Sequence, residues 1–428
     1  MKSQEAVDLG RFAGIELRHA TSLVRGAHSA ISDTVHDALR VGLGPVATPV
    51  QVAHDAVAGL AYAATGLGVD VAARVAGVVA GQRLRARDTE RTSLHDAPRG
   101  HQALAVGLGI RGDHVHARMP SLAPTMHIRS AGRAVPLTAE GVRTAYEAPT
   151  GEVALFLHGL CETEASWRLG AERRRPYADR LAADLGLTPV LVRYNSGLRI
   201  SENGQALAGL LEGLVAAWPV PVTCIVLIGH SMGGLVIHSA LAQAPPQAAW
   251  LPLVSDTIGL GSPHHGSPVA RSVHRAAEAL ATSGKGAWLG DYLRRRSVGV
   301  RDLAHGNVVP ADWEGHSPDS LQDRRTHPPA LAGVRHHAVI AVLGSHPRRA
   351  VEQVGDLLVP VDSARHLARE DVPSRFEEER VAVITGLHHL GLLNDERVHG
   401  HLLRWLGEPL EATEGAQVSP SRRSGPPR

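Results

Sequence analysis

Between residues 222 and 240 the chain reads VTCIVLIGHSMGGLVIHSA, and this stretch limits its fold more tightly than any other. Residues 222–228 form a short, near-continuous apolar run rich in β-branched side chains, the pattern of a strand buried on both faces. Gly229-His230-Ser231-Met232-Gly233-Gly234 follows at once, and then Leu235, Val236, His238, Leu241 and Ala242 recur at helical spacing. Strand, GxSxG and helix in that order predict a sharp turn with Ser231 at its tip. Such a turn strains the backbone at the serine. It also needs Gly229 and Gly233, because only residues without a Cβ let strand and helix close on each other. Ser231 Oγ then projects from the carboxyl edge of a parallel sheet.

The rest of the chain supplies that sheet. Strand patterns are read at 153–157, 190–194, 255–260, 338–343 and 380–385, with edge strands at 103–110 and 125–129. Helical patterns lie between them at 176–185 and 201–218. Strands alternating with helices give an α/β fold with a mostly parallel, doubly wound sheet. The expected organisation is a helical N-terminal extension and linker over 1–92, one α/β domain over 93–408, and a disordered tail over 409–428. A lid-like insertion at 269–330 interrupts the alternation, with Ala276, Leu280, Trp288 and Leu293 as its apolar face and Gly284 and Gly286 as a hinge.

In the extension, Leu17, Val24, Ile31, Val35 and Leu39 form a one-faced helical stripe, ended by Gly44-Pro45 and Pro49. A second, small-residue-rich helix runs from 50 to about 81. The two are expected to form a hairpin packed on the main domain, with contact at a lipid surface as the alternative. The uncharged stretch 56–69 is too short to span a bilayer, because Asp70 and Arg74 interrupt its continuation.

The formal charge of +2 over 428 residues gives nucleic-acid binding no support. The two cysteines, Cys161 and Cys224, make no disulfide framework and suit a reducing compartment. The first fifteen residues lack a charged start followed by an apolar core. The chain is therefore expected in the cytoplasm, without signal peptide or transmembrane helix, at most peripheral to a membrane. Its oligomeric state is left open.

A serine hydroxyl is a poor nucleophile unless a base, an orienting carboxylate and oxyanion donors surround it. In a fold of this type the acid and then the histidine follow the serine along the chain. Gly355-Asp356-Leu357-Leu358-Val359-Pro360 offers Asp356, with Asp362 as its rival; Asp256 lies at the wrong end of its strand. After the last strand come two adjacent histidines, His388 and His389. Oxyanion donors are expected from the backbone amides of Met232 and of Leu160, in the loop Phe156-Leu157-His158-Gly159-Leu160-Cys161. His158 braces that loop and lines the substrate; Cys161 is read as packing. Gly261-Ser262-Pro263-His264-His265-Gly266-Ser267-Pro268 is expected to form a rigid turn that brings His264 to the substrate. No HExxH or CxxC accompanies these histidines, so neither metal nor cofactor is expected.

With these residues in place, the chain resembles α/β-hydrolases of the bacterial lipase and esterase type. LHGL at 157–160, GHSMGG at 229–234, GSPHHGSP at 261–268, GDLLVP at 355–360 and HHLGLL at 388–393 carry the likeness, in that order. Tyr194-Asn195-Ser196-Gly197 and Ser201-Glu202-Asn203-Gly204 add a likeness to lipases related to GPI inositol-deacylases. The resemblance covers about residues 100–408. It implies Asp356 as the acid and His389, the histidine before Leu390, as the base. It implies a serine carboxylic-ester hydrolase acting on a small-molecule or lipid ester through an acyl-enzyme. A thioesterase or acyltransferase would use the same atoms, and a non-catalytic, membrane-peripheral binding protein is the alternative of another class.

Overall fold

The computed structural model describes residues 1–43, 47–283, 286–317, 320, 322–344, 356, 359–365 and 375–408; side chains at 38–39, 41–43, 47 and 50 are left out of the description. The expected tail, Leu39's side chain, Gly284, and Gly355, Leu357 and Leu358 lie outside the described residues.

Two long helices open the chain, α1 (Ser3–Leu43) and α2 (Ala47–Arg85), followed by α3 (Pro98–Arg118). A small hairpin, β1 (His127–Ser130) and β2 (Arg133–Val135), and α4 (Ala139–Ala145) lead into the alternating part. This runs β3 (Glu152–Leu157), α5 (Tyr177–Leu185), β4 (Thr188–Arg193), α6 (Ile200–Ala217), β5 (Cys224–His230), α7 (Met232–Ala242) and β6 (Val254–Leu260). Then come α8 (Pro268–Ala281), α9 (Ala287–Leu293), α10 (Val298–His305), β7 (Arg335–Val342), α11 (Val361–Arg365), β8 (Val381–Thr385) and α12 (Glu396–Leu406).

The described strands form one eight-stranded sheet in the order β2-β1-β4-β3-β5-β6-β7-β8. β3 to β8 are parallel; β1 runs antiparallel to both β2 and β4. Apolar cores cover both faces. Leu155, Leu157, Val190, Val192, Ile225 and Leu227 pack with α6 and α7, while Ala154, Phe156, Val226, Ile228 and Val339 pack with α5 and α12. Alternate residues of one strand thus enter opposite cores, which is why these strands read as continuous apolar runs. The register sets Leu157 beside Gly229, Gly229 beside Gly259, and Val342 beside Thr385. The carboxyl ends of β3, β5 and β6 are therefore nearly flush, and their loops meet on one edge. Asp256 sits at the opposite end, bonded to Arg335 at 2.7 Å and His337 at 2.8 Å.

Two expectations fail here. The segment 103–110 is part of α3, a helix. Leu104, Val106, Leu108 and Ile110 alternate like a strand, but Val106 and Ile110 are exposed, while Ala105, Leu108, Gly109, Gly112 and Val115 are buried at helical spacing. Sheet topology leaves no place for it: β1 and β2 fill the edge. The apolar stripe of α1 also behaves otherwise, since Leu17, Val24, Ile31 and Val35 face outward, each about half exposed or more. The hairpin interface is made of small residues instead. A Cβ on Gly10 would lie 2.7 Å from Gly77 Cα, and one on Gly81 would lie 2.9 Å from Ser3 O. Backbones approach this closely only where side chains are absent.

Below the hairpin, α1 rests on α3 through Phe12 and Ile15, and Gly26 forms a notch for Trp288 of α9. Trp288, expected on the catalytic side of a lid, packs on the extension. The charged, turn-rich stretch 83–100, whose composition reads as a linker, is docked as well: Leu94 N–H donates to Glu5 at 2.9 Å, and Arg129 and Arg193 both donate to His95 O.

The close approach separates two glycines of α2. Gly77→Ala places a methyl against the backbone of α1 and is expected to destabilise by roughly 1–3 kcal/mol. Gly59, with open space around it, is expected to gain about 0.5–1 kcal/mol on the same change. Urea unfolding followed by circular dichroism reads both signs.

Candidate active site

β5 ends at His230 and α7 begins at Met232, so Ser231 alone makes the turn, with φ 52° and ψ −119°. A non-glycine residue held there costs about 1–3 kcal/mol of backbone strain. The surroundings enforce it. Ser231 N–H donates to Leu260 O at 2.8 Å, tying the turn to β6. A Cβ on Gly229 would lie 2.4 Å from Gly234 N, and one on Gly233 would lie 2.5 Å from Leu157 O. Met232 opens α7, where an amide has no intrahelical acceptor.

The loop after β3 comes up against this turn, because a Cβ on Gly159 would lie 3.1 Å from Ser231 Cβ. Within the loop, Gly159 N–H donates to Glu162 Oε2 at 2.9 Å, Cys161 N–H to Ser196 Oγ at 3.1 Å, and Glu162 N–H to Gly159 O at 3.4 Å. Among the described residues, the Leu160 amide has no acceptor in this chain. Leu160 and Met232 thus present backbone donors from the two elements that flank Ser231.

The loop after β8 carries His389, whose Nδ1 lies 2.5 Å from Asp356 Oδ2; both residues are buried, at 5% and 2% exposure. The ring of His389 stands over Gly261, where a Cβ would lie 3.1 Å from it, and 4.7 Å from the ring of His230. The rivals lie elsewhere. His388 is exposed and its Nδ1 accepts the Gly391 amide, capping the short helix that begins at His389. Asp362 is exposed on α11, while its neighbour Ser363 bonds His265 N and Gly266 O. Ser231, His389 and Asp356 are therefore brought to one edge, while Asp362 and His388 have exposed side chains outside the His389–Asp356 pair.

Neither histidine expected to line the substrate does so in the expected way. His158 has no exposed surface: its Nδ1 faces Gly159 O at 2.9 Å, Tyr194 N–H donates to its Nε2 at 3.3 Å, and its ring stacks on Tyr194. It braces the loop. His264 is buried in a narrow crevice with Gly234, His238 and Phe376. Cys161 packs under Gly109 of α3, and burial pushes its thiol up to about 11, which leaves it protonated at neutral pH. Among the described residues no cluster could hold a metal ion.

Sequence reasoning missed Glu162. Its carboxylate lies 2.9 Å from Nδ1 of the fully buried His230, whose Nε2 lies 3.3 Å from His389 O. Both ring nitrogens thus face acceptors, and only the imidazolium satisfies both. Burial opposes each charge, but the partner outweighs it: Glu162 is held below the usual carboxylate range and His230 is raised. The pair joins the loops after β3, β5 and β8. The available signal was the histidine itself, since a histidine inside a buried elbow needs a partner.

Sequence comparison places a match to the PGAP1-like alpha/beta domain over residues 212–321, from within α6 across the elbow into the insertion. The mostly parallel eight-stranded sheet with a strand-turn-helix at Ser231 is an α/β-hydrolase fold. A cutinase of Pyrenopeziza brassicae is 37% identical over 67 residues, which are 16% of this chain and 31% of the cutinase; the match thus spans about a third of that protein's length. The mature Bacillus licheniformis lipase BlEst2 is 19% identical with a TM-score of 0.39, covering 61% of this chain and 94% of the lipase. The Pyrococcus furiosus esterase Pf2001 is 13% identical with a TM-score of 0.32, covering 60% and 81%.

The buried pair gives this protein a pH signature. Glu162, held low, keeps its charge well into acid. His230, raised, contributes fully below its unfolded value near 6.5 and loses that contribution as pH rises through its folded value. Glu162→Gln is therefore expected to cost about 3 kcal/mol near pH 6. The gap to wild type should narrow toward pH 9, as read by thermal unfolding across pH 5–9. A gap independent of pH would mean that His230 is not charged.

Proposed function

We propose that this chain is a serine carboxylic-ester hydrolase in which Ser231, His389 and Asp356 act as nucleophile, base and orienting acid. The observation that carries this reading is the buried 2.5 Å contact between His389 Nδ1 and Asp356, on the same sheet edge as the strained Ser231. With Nδ1–H held by Asp356, His389 Nε2 is left as the acceptor, the tautomer a general base requires.

Ser231 Oγ attacks the ester carbonyl as its proton passes to His389 Nε2. The carbonyl oxygen takes the negative charge and receives hydrogen bonds from the Leu160 and Met232 amides. Collapse breaks the ester C–O bond, and His389 returns the proton to the departing alcohol. Water then attacks the acyl-serine with His389 again as base, releasing the acid and restoring Ser231. The unacceptored Leu160 amide supports its role here. The substrate class is an ester with an apolar acyl group, such as a lipid ester, in keeping with the resemblance to lipases. The insertion 269–330 is proposed as a wall of the acyl site rather than a lid moving as one body. α10 is fixed to α3 and α6: Ser297 Oγ donates to Gly109 O at 2.6 Å, and Arg199 pairs with Asp302 at 2.7 Å.

Ser231→Ala is expected to lower p-nitrophenyl ester hydrolysis by about 10³-fold or more with the melting temperature within a few degrees of wild type. A variant keeping half its activity would remove the serine mechanism.

The partners are separated by paired variants. Asp356→Asn should lower kcat by roughly 10³–10⁴-fold, because the amide fixes the wrong histidine tautomer, and Asp362→Asn should leave it near wild type. His389→Ala and His388→Ala should divide in the same way, and steady-state kinetics of the four variants decides both assignments.

A further inference from the structure

Helix α2 turns its large apolar side chains away from the protein. Val57 is 70% exposed and Leu60 73%, and Leu67, Val71, Val75 and Val78 continue the same surface. Its inward side carries Gly66, Asp70, Gly77 and Gly81 against α1. This is the inverse of a water-soluble hairpin: small and polar residues inside, large apolar residues outside. From Ala56 to Val79 the charged residues are Asp70 and Arg74. Asp70 is turned inward and holds Arg74 Nε at 2.6 Å, so it breaks the sequence pattern but not the apolar face. Twenty-four helical residues present about 36 Å of that face. The segment Gln51–Arg85 is long and apolar enough to cross a membrane, contrary to the expectation from sequence. Exposed apolar surface on this scale marks a contact site.

What meets the face is indicated by its flank. A cavity of about 390 Å³ is lined by Arg18, Arg74, Arg118 and Arg295 with His19 and His114, and Asp70 is its acidic member. Four guanidiniums against one carboxylate leave it strongly positive, and Arg74 is four residues from Asp70 and next to Val75, so this rim adjoins the apolar face. The last turn of α2 and the chain after it add Arg83, Arg85, Arg87 and Arg91, against Asp88 and Glu90. Positive charge beside an apolar face suits a layer that is apolar within and anionic at its surface. A second copy of this chain would set the same positive rim against itself.

The hairpin register argues for lying on the bilayer and against crossing it. α1 runs alongside α2 from the Gly10–Gly77 contact to the bond between Gln51 Nε2 and Asp33 at 3.0 Å. A crossing α2 would take Arg11, Glu16, Arg18, Arg25 and Asp33 of α1 into hydrocarbon with it, and the pairs Arg11–Asp8, Arg18–Asp70 and Arg111–Glu16 offset only part of that cost.

We propose that the α1–α2 hairpin seats this protein on an anionic phospholipid surface, with the outward face of α2 in the hydrocarbon margin and a lipid phosphate in the arginine cavity. The test is flotation of the full chain with vesicles of equal parts phosphatidylglycerol and phosphatidylcholine, against phosphatidylcholine alone. Binding should favour the anionic vesicles by tenfold or more. Leu60→Gln with Leu67→Gln should reduce it about tenfold or more. Arg118→Gln and Arg295→Gln should each reduce it roughly fivefold, with Arg118→Lys restoring most of the loss. Inorganic phosphate at constant ionic strength should not release the protein; release would assign the cavity to the free ion and overturn the lipid source. Equal binding to both vesicle types, or no binding together with a concentration-dependent dimer in light scattering that Leu60→Gln/Leu67→Gln abolishes, would overturn the proposal. Ser231→Ala must bind like wild type, so the outcome stands apart from the proposed hydrolysis, and a cooperative thermal melt followed by circular dichroism shows that each hairpin variant is folded.

Discussion

The left-handed backbone at Ser231 is the constraint on which the site depends. It is tolerable only because β3, β5 and β6 end at nearly the same height, so that Leu260 O can hold the Ser231 amide and the glycines at 229 and 233 can meet neighbouring backbone. Shift the register of one strand and the turn loses its hydrogen bond, its tight packing, or both. The large apolar cores on the two faces of the sheet fix that register, since a one-residue slip would exchange the residues of the two faces. Strain at one residue is thereby borne by the packing of the whole sheet.

The part of the molecule built from sequence-local patterns was legible in the chain. β5, the elbow and α7 form one contiguous stretch whose periodicity changes at the turn, and the strands from β3 to β8 are apolar runs because both faces are covered. The pairing of His389 with Asp356 was legible only as chain order plus family likeness; choosing between neighbours required burial, which sequence does not display. α3 was misread because its exposed Val106 and Ile110 fall into alternation with residues that are buried for another reason. Its helical contacts are glycines, Gly109 against Cys161 and Gly112 against Asn195, and glycine gives no apolar signal. The stripe on α1 misled in the opposite sense, since a regular apolar repeat was taken for an interface while the true interface consists of residues too small to register.

The extension and the α/β body are consequently less separable than the sequence suggests. Glu5 reaches across to Leu94, Asp8 accepts Ser121 Oγ at 2.6 Å, and Arg111 of α3 donates to Arg295 O between α9 and α10. α3 itself crosses over the loop that carries Leu160. A change in how the hairpin is held has a mechanical route, through α3, to the donors beside Ser231.

The Glu162–His230 pair has a consequence for how the proposed activity would be lost. Three loops from three strands meet at one buried imidazolium, which holds Glu162 on one side and the His389 carbonyl on the other. Loops tied separately to their own strands would loosen one at a time on warming, and a partly assembled site would persist over a range of temperature. Loops knotted at a single charge let go together. Inactivation should then be abrupt, with no population that binds ligand yet fails to turn it over, and the edge of the sheet should behave as one cooperative unit rather than as a set of independently fraying ends.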